Sequence, residues 1–234
     1  MSPTYCRVCG LQTEQWLDLG VQPLANGFYY NPSELRYYPL VVARCPGCAL
    51  SQLSEVVSPE LLYSNYPYRS GISQDFNQHC AELGAEISSQ FGTPRGIALD
   101  IASNDGTMLD KLDRYGFKAI GVEPSNIPCV FETVRGYFPR ATVDMNAGQV
   151  DVITSLNVLG HVADVHGFAA EVERLLSPDG LWIVEVPWVR ELLRGAEFDT
   201  IYHEHLSYWS LTALRQLGEA HGLIMTNASF QPIH

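Results

Sequence analysis

The chain has 234 residues, of which 46% are hydrophobic and 17% charged, and its formal net charge is −12. This length suits one α/β core with a small appendage rather than two complete domains. The acidic balance argues against a nucleic-acid partner, because neutralising phosphates requires clustered Lys and Arg. No apolar run approaches the ~18 residues of a membrane span, and the N-terminus does not resemble a signal peptide. We therefore expect a cytoplasmic protein that binds neither nucleic acid nor membranes.

Residues 1–58 contain two C-x-x-C pairs, and residues 10–44 lie between the two pairs. Four thiolates in this pattern are typical of a tetrahedral, structural zinc site. A disulfide does not fit a reducing compartment, and a thioredoxin-type motif would need only one pair in a βαβ setting. The segment is too small to build a stable core alone, so one Zn²⁺ ion is expected to stabilise it. The predicted ligands are Cys6, Cys9, Cys45 and Cys48.

The pattern of the chain changes after residue 58. Residues 59–93 combine a Ser-Pro helix start with apolar residues at helical spacing, and they predict a helical linker around the loop YPYRSGIS. From residue 94 to residue 234 strand and helix patterns alternate, which predicts an α/β fold with a doubly wound, mostly parallel sheet. The predicted strands are RGIALDI, FKAIGVE, VDVITSLNVL, LWIVEV and LIMTNASF. The predicted helices are SNDGTMLDKLDRYG, NIPCVFETVRGYF, VHGFAAEVERLLSPDG and SLTALRQLGEAHG.

A polar turn that begins at Asp100 follows the first of these strands. It lacks the three glycines of G-x-G-x-x-G, which allow a backbone to approach a pyrophosphate. The second strand ends in Glu123, where a carboxylate can accept hydrogen bonds from ribose hydroxyls. Acidic strand ends without a phosphate cradle favour S-adenosylmethionine over NAD, and the alternative is a structural turn.

The run FDTIYHEHLSYWS, residues 198–210, contains a phenol, two imidazoles and a carboxylate in four consecutive positions. A neutral imidazole suits proton abstraction, a phenol can stabilise an oxyanion, and a carboxylate can fix the tautomer of an imidazole. In an extended segment His203 and His205 would point away from Tyr202 and Glu204, whereas a turn would bring both sets together. The alternatives are a metal site that uses both histidines and a polar loop.

Several motifs occur in a fixed order: CRVCG, LGVQPLANGF, CPGCALSQL, YPYRSGIS, DIASNDGT, GVEPS, NVLGHV and FDTIYHEHLSYWS. With them the chain resembles the class I S-adenosylmethionine-dependent C-methyltransferases of nucleotide-linked deoxysugars, which carry an N-terminal zinc-binding domain. The resemblance implies a Rossmann-like fold and methylation of a carbon next to a keto group. The implied substrate is a nucleotide-linked keto-deoxysugar or a similar small molecule.

The resemblance also implies roles for individual residues. The base would be His205, supported by Glu204 and Tyr202, with His161 near the substrate. An aromatic side chain of YPYRSG, Tyr66 or Tyr68, would close the sugar pocket. The cofactor contacts would be Asp100, Ala102, Asn104, Gly106, Glu123 and Asn157.

The chain departs from the resembled family in three places. Ala102 replaces a glycine that is usual in the cofactor turn. Its methyl group would either crowd a closely approaching ligand and weaken cofactor binding, or be tolerated if the backbone there is ordinary. The stretch between Glu123 and residue 150 is short. The family continues beyond the point where this chain stops, with a last antiparallel strand and a C-terminal domain. We therefore expect a methyltransferase-like domain over residues 94–234 without those parts.

Two predictions, one about partners and one about function, follow from the shortened domain. A protein partner or a second copy of the chain would cover the missing sheet edge, because exposed edges are normally paired or covered. The alternative to an enzyme is a non-catalytic binding or assembly protein on a trimmed methyltransferase scaffold.

Overall fold

The structure is a computed structural model, and it describes residues 4–26, 31, 35–63, 69–91 and 96–231. The chain divides into two compact units, each built from separate segments. The first unit comprises residues 1–64, 157–169 and 185–225, and the second comprises residues 65–156, 170–184 and 226–234. Each unit contains a sheet and an apolar core of its own.

The described elements have the following bounds. The strands are β1 (Glu14–Pro23), β2 (Tyr37–Arg44), β3 (Ser51–Leu53), β4 (Ile97–Ile101), β5 (Lys118–Glu123), β6 (Glu132–Arg135), β7 (Val150–Leu156), β8 (Leu176–Glu185) and β9 (Ser207–Tyr208). The helices are α1 (Pro59–Tyr63), α2 (Gln74–Gln90), α3 (Thr107–Arg114), α4 (Val165–Leu175), α5 (Val189–Gly195) and α6 (Leu211–Ala220). None of the helices in the described part of the chain is long and apolar enough to cross a membrane.

The sheet of the first unit is antiparallel, with the strand order β1-β2-β3-β9. Strand β9 pairs with β3 in the register Ser51 to Tyr208, although the two strands are far apart in sequence. Apolar side chains pack on this sheet; they are Leu40, Val42, Leu53, Leu206 and Tyr208. The pairing joins the YHEH run, which directly precedes β9, to the N-terminal cysteine-containing segment.

The sheet of the second unit has the order β6-β5-β4-β7-β8. Strands β4, β5, β6 and β7 pair in parallel, so their carboxyl ends meet at one edge. Helices α2 and α3 contribute apolar side chains to the core, and the Ser73 hydroxyl caps α2 by accepting from the Phe76 amide at 3.2 Å. This architecture confirms the predicted Rossmann-like α/β fold.

One predicted helix is wrong, and another is confirmed but ends earlier than expected. The predicted helix NIPCVFETVRGYF contains strand β6 instead. Its apolar spacing fits either structure over so short a run, and the β-branched Thr133 and Val134 favour a strand. The predicted helix VHGFAAEVERLLSPDG ends at Leu175, and the residues SPDG belong to β8 rather than to a helix end.

The predicted strand LIMTNASF is also wrong, because residues 223–230 adopt no regular structure. Ile224 is 84% exposed and Phe230 is 60% exposed. An apolar pattern alone does not form a strand, since a strand requires a neighbour with free backbone groups in register.

Candidate functional site

The four cysteines of the two C-x-x-C pairs converge in the first unit. Their sulfur atoms lie within 4.8 Å of one another, with Cys6 Sγ 3.5 Å from Cys48 Sγ and Cys9 Sγ 3.3 Å from Cys45 Sγ. Sulfurs that share a tetrahedral Zn²⁺ at about 2.3 Å lie roughly 3.8 Å apart, so the residues present fit this ion. Because four thiolates fill the coordination sphere, the ion would be structural.

The alternative metal site from the sequence would use His203 and His205 as ligands. Within the described residues, no other group of three or more His, Cys, Asp or Glu side chains could hold a metal ion. His203 Nε2 lies 3.3 Å from the Tyr38 carbonyl, while His205 Nδ1 lies 2.8 Å from the Thr200 carbonyl. The alternative of a metal bound by both histidines is therefore wrong.

Arg7 connects the first cysteine pair to β9. It lies between Cys6 and Cys9, and its guanidinium donates to the carbonyls of Leu53 and Leu206, each at 2.9 Å. Burial lowers the pKa of Arg7 to about 10. The zinc-binding segment thus holds the main chain directly after the YHEH run.

His205 stands at the end of a tight turn. Its amide donates to the Tyr202 carbonyl at 3.0 Å, and the Tyr202 hydroxyl lies 2.8 Å from His205 Nε2. Because the Thr200 carbonyl can only accept, Nδ1 carries the proton and Nε2 keeps its lone pair. Burial lowers the pKa of His205, which favours the neutral imidazole. The turn therefore produces a neutral base with a phenol at its basic nitrogen.

His161 provides a second imidazole, in a 3₁₀ turn at Leu159–His161 that follows β7. Its Nδ1 lies 2.9 Å from the main-chain oxygen of Glu204 and 3.0 Å from the Tyr63 hydroxyl. The rings of His161 and His205 are 5.0 Å apart, centroid to centroid. Burial, followed by the charge of His205, lowers the pKa of His161 to about 4. A pKa this low makes His161 a weak base.

Glu204 is only 2% exposed. Its Oε1 accepts from Nδ2 of Asn26 at 2.6 Å, and its Oε2 has no hydrogen-bond partner in the described part of the chain. Burial raises the pKa of Glu204, and the Asn26 amide opposes this rise. The expectation that this carboxylate fixes the tautomer of His205 is wrong, because the carbonyl of Thr200 does so.

In the second unit, two acidic side chains stand at the carboxyl ends of adjacent parallel strands. Asp100 accepts from the Thr154 hydroxyl at 2.6 Å. Burial is the main cause that raises the pKa of Asp100 to about 7, and the charge of Glu123 adds to it. Glu123 accepts from the amides of Asn104 at 2.9 Å and Ser125 at 2.8 Å. Each carboxylate oxygen has a second lone pair, so Glu123 remains able to accept from ribose hydroxyls.

The turn between β4 and α3 has a left-handed backbone at three positions, with φ of 57° at Ala102, 52° at Asn104 and 86° at Gly106. A Cβ at Gly106 would lie 2.7 Å from Cys129 Sγ, so glycine is required there. Ala102 adopts a left-handed conformation that favours glycine, so the ordinary backbone that would tolerate an alanine is not present there. Ala102 is nevertheless exposed, so its methyl group meets no packed neighbour.

This turn lines a cleft whose chemistry fits S-adenosylmethionine. The lining residues include Asp100, Ala102, Ser103, Thr107, Met108 and Leu156. Buried Ser103 Oγ has no hydrogen-bond partner in the described residues, which leaves a polar atom available to a ligand. The cleft therefore offers a free hydroxyl and the Asp100 carboxylate beside apolar side chains, and its turn lacks the three glycines of a phosphate cradle.

Other predicted site residues lie elsewhere. Tyr66 and Tyr68 fall outside the described residues. The segment that follows them is attached to the cofactor turn, because the amides of Ser70 and Gly71 donate to the side chains of Asn104 and Asp105 at 3.1 and 2.9 Å. In the first unit, Asn157 has φ of 56° and uses its amide Nδ2 to donate to Glu185 Oε1 at 2.9 Å.

Sequence reasoning missed Asn26, Tyr63 and Thr200. Asn26 belongs to the motif LGVQPLANGF, but 178 positions separate it from Glu204. Thr200 acts through its carbonyl, which no side-chain pattern reveals. The one sequence signal for Asn26 was that the motif LGVQPLANGF had no predicted role.

Two family models match the chain. The model described as "Methyltransferase domain" matches residues 73–227, and the model described as "Putative zinc binding domain" matches residues 6–63. The chain is 32% identical, over 245 residues, to the C-methyltransferase NovU of Streptomyces niveus. This similarity covers 98% of the chain but only 58% of NovU.

Solved structures share the fold at lower identity. A protein from Pyrococcus horikoshii OT3 matches with a TM-score of 0.52 and 19% identity, over 70% of this chain and 90% of the other. A SAM-dependent methyltransferase from Archaeoglobus fulgidus matches with a TM-score of 0.53 and 15% identity, over 61% and 68% of the two chains. At these identities the likeness concerns the fold alone.

Proposed function

Because this chain belongs to the S-adenosylmethionine-dependent methyltransferase family, we propose that it methylates a carbon next to a carbonyl group in a small substrate. We further propose that the substrate is a nucleotide-linked keto-deoxysugar. The observation that carries the proposal is the neutral His205, whose unprotonated Nε2 lies beside the Tyr202 hydroxyl. The name of the NovU relative, a C-methyltransferase, supports carbon as the methylated atom.

The proposed reaction begins at His205. A C–H bond next to a carbonyl group is a weak acid, and Nε2 of His205 takes its proton while the Thr200 carbonyl stabilises the resulting imidazolium through Nδ1–H. The Tyr202 hydroxyl then donates to the enolate oxygen instead of to Nε2. The electron pair of the broken C–H bond forms the new bond from carbon to methyl. S-adenosylmethionine, when bound, would supply this methyl group as an electrophile and would leave as S-adenosylhomocysteine, whose sulfur keeps the electron pair of the broken S–CH₃ bond.

Cofactor binding is proposed for the second unit. The turn after β4 contributes Ala102, Asn104 and Gly106, while Asp100 stands near the end of β4 and Glu123 at the end of β5. Glu123 would accept from ribose hydroxyls, and the left-handed turn would bring main-chain groups close to the ligand. Asn157 remains a predicted cofactor contact and Tyr68 a predicted cover of the sugar pocket.

The proposal also covers the domain organisation of the chain, its location in the cell and its partners. We propose a zinc-binding domain over residues 1–58, a helical linker over residues 59–93 and a methyltransferase domain from residue 94, in the cytoplasm. Strand β8 stands at one end of the described sheet. A protein partner or a second copy of the chain is proposed to cover that edge.

One titration separates the enzyme from a non-catalytic scaffold. S-adenosylhomocysteine should bind the wild-type chain in a calorimeter and raise its melting temperature. No heat and no thermal shift at millimolar ligand would contradict the proposal. If the ligand binds but nucleotide-linked keto-deoxysugars are not methylated, the proposed substrate class is wrong.

A substitution of His205 tests its assignment as the general base. His205→Ala should lower turnover of the keto-sugar by roughly 10²–10⁴-fold, because general base catalysis contributes about that much. The affinity for S-adenosylhomocysteine should stay within about twofold, since His205 lies outside the cofactor turn. His221→Gln, a histidine outside the YHEH run, serves as the matched control and should change neither. Loss of cofactor binding in His205→Ala would contradict the assignment.

A further inference from the structure

We propose that Asn26 is a positioning residue for Glu204, through which the zinc-binding segment orients the carboxylate of the YHEH run toward a hydroxyl of the substrate. The catalytic meaning of this inference rests on the proposed function. The contact itself does not, because it is a property of the free protein. Asn26 has no assigned role, although the motif LGVQPLANGF contains it.

The geometry singles out this contact. Glu204 Oε1 lies 2.6 Å from Asn26 Nδ2, slightly closer than the range of about 2.7–2.9 Å that charge-assisted N–H···O hydrogen bonds adopt. The carboxylate is 2% exposed, so water does not replace this donor. A buried carboxylate that loses its donor becomes costly to keep charged.

Other groups near Glu204 do not take over this task. The His161 ring and the Tyr63 hydroxyl lie 2.9 and 3.4 Å from the main-chain oxygen of Glu204, not from its carboxylate. His205 uses its two ring nitrogens toward Tyr202 and Thr200. Within the described residues, Asn26 is therefore the hydrogen-bond donor of this carboxylate.

Fixing one carboxylate oxygen determines what the other can do. With Oε1 held by Asn26, Oε2 is a buried acceptor without a partner in the described part of the chain. Buried polar atoms are normally satisfied, so this atom points to a ligand that donates a hydrogen bond. A sugar hydroxyl next to the reacting carbon is such a donor. Asn26 would thus determine which hydroxyl pattern the site accepts.

The test measures Glu204 directly and needs no substrate. Protein labelled with ¹³C at the glutamate carboxyl carbon is titrated by NMR, and Glu204→Gln identifies the signal of Glu204. Asn26→Ala should raise the pKa of Glu204 by about one unit, because a hydrogen bond to a charged group contributes about that much. Asn26→Asp should raise it further, since two adjacent carboxyl groups share a proton.

Gln22→Ala is the matched control, because Gln22 is an exposed amide of the same segment that donates to the Leu19 carbonyl at 2.7 Å. It should leave the pKa of Glu204 unchanged. An unchanged pKa in both Asn26 variants would overturn the inference, whether or not the protein is a methyltransferase. In the keto-sugar assay, the acid limb of kcat/KM should move upward in the order wild type, Asn26→Ala, Asn26→Asp. A uniform loss of activity without this order would show a merely structural role.

Discussion

The hydroxyl of Tyr202 lies 2.8 Å from Nε2 of His205, across a turn that the His205 amide closes on the Tyr202 carbonyl at 3.0 Å. The turn resolves the sequence ambiguity about which side chains of the YHEH run meet. Tyr202 and His205 meet, whereas the Glu204 carboxylate is held by Asn26. The phenol and the imidazole form a donor and acceptor pair before any substrate binds.

Removing the phenol hydroxyl should make His205 easier to protonate. In the wild type the hydroxyl donates to the unprotonated Nε2 and so favours the neutral imidazole. Tyr202→Phe should raise the pKa of His205 by about half a unit, the equivalent of a hydrogen bond between neutral groups. The measurement is an NMR titration of the imidazole protons. A pKa that stays the same or falls would show that the hydroxyl does not donate to Nε2.

Zinc removal should disturb the first unit more than the second. We expect one zinc per chain by metal analysis, and chelation should loosen the segment that carries Arg7. Because Arg7 holds the carbonyl of Leu206, the NMR signals of His205 should change after chelation. Affinity for S-adenosylhomocysteine should change less, since the cofactor turn belongs to the second unit.

The zinc prediction has two failure outcomes. A metal content far from one zinc per chain in fresh protein would contradict the site. Unchanged His205 signals in metal-free protein would contradict the connection through Arg7. Cys80→Ser is the control for the metal analysis, because Cys80 belongs to the second unit and lies outside the cysteine cluster. Its zinc content should equal that of the wild type.

His161 should make the protein sensitive to acid. Its pKa of about 4 in the folded state lies below the value of about 6.5 in the unfolded chain, so the unfolded state binds the proton first. The stabilising contribution is complete above pH 6.5 and is lost as the pH falls toward 4. At pH 4.5 the loss should be about 2.5 kcal/mol in the free energy of unfolding, measured with urea.

Asp100 acts in the opposite direction, because its pKa is raised and its contribution to stability is lost as the pH rises from about 4 to 7. The informative quantity is therefore the difference between wild type and His161→Asn, in which the effect of Asp100 cancels. His161→Asn should show the smaller loss of stability on acidification. Equal losses in the two proteins would show that His161 titrates normally in the folded state.

Two substitutions in the cofactor turn, one from alanine to glycine and one from glycine to alanine, test its left-handed backbone. Ala102→Gly relieves a left-handed alanine, which costs about 1 kcal/mol, but it also frees the unfolded chain. We expect a change in unfolding free energy of less than about 1 kcal/mol. Gly106→Ala should cost about 1–3 kcal/mol, because φ is 86° and the new Cβ would lie 2.7 Å from Cys129 Sγ.

Urea denaturation measures both variants of the turn. S-adenosylhomocysteine should bind Ala102→Gly at least as tightly as it binds the wild type, since the substitution only removes an exposed methyl group from the cleft. Weaker binding to this variant would show that the alanine side chain contributes to the cofactor site. A stable Gly106→Ala would contradict the close contact with Cys129.

Local patterns in the sequence were sufficient for several features. The spacing of the four cysteines predicted the zinc cluster, because metal coordination requires particular ligands at short separations. Alternating strand and helix patterns predicted the Rossmann-like fold, since each element buries one face or stripe of apolar residues. The pattern did not distinguish β6 from a helix, because a short apolar run satisfies both periodicities.

The sequence by itself determined which chemical groups are present: four thiolates, a turn with acidic strand ends, and a phenol, imidazoles and carboxylate side by side. Only the tertiary structure decided which of these groups meet. The Thr200 carbonyl selects the tautomer of His205, and Asn26 reaches Glu204 across 178 positions. Neither contact follows a sequence period, because each depends on the pairing of β9 with β3 and on a turn whose partners are main-chain atoms.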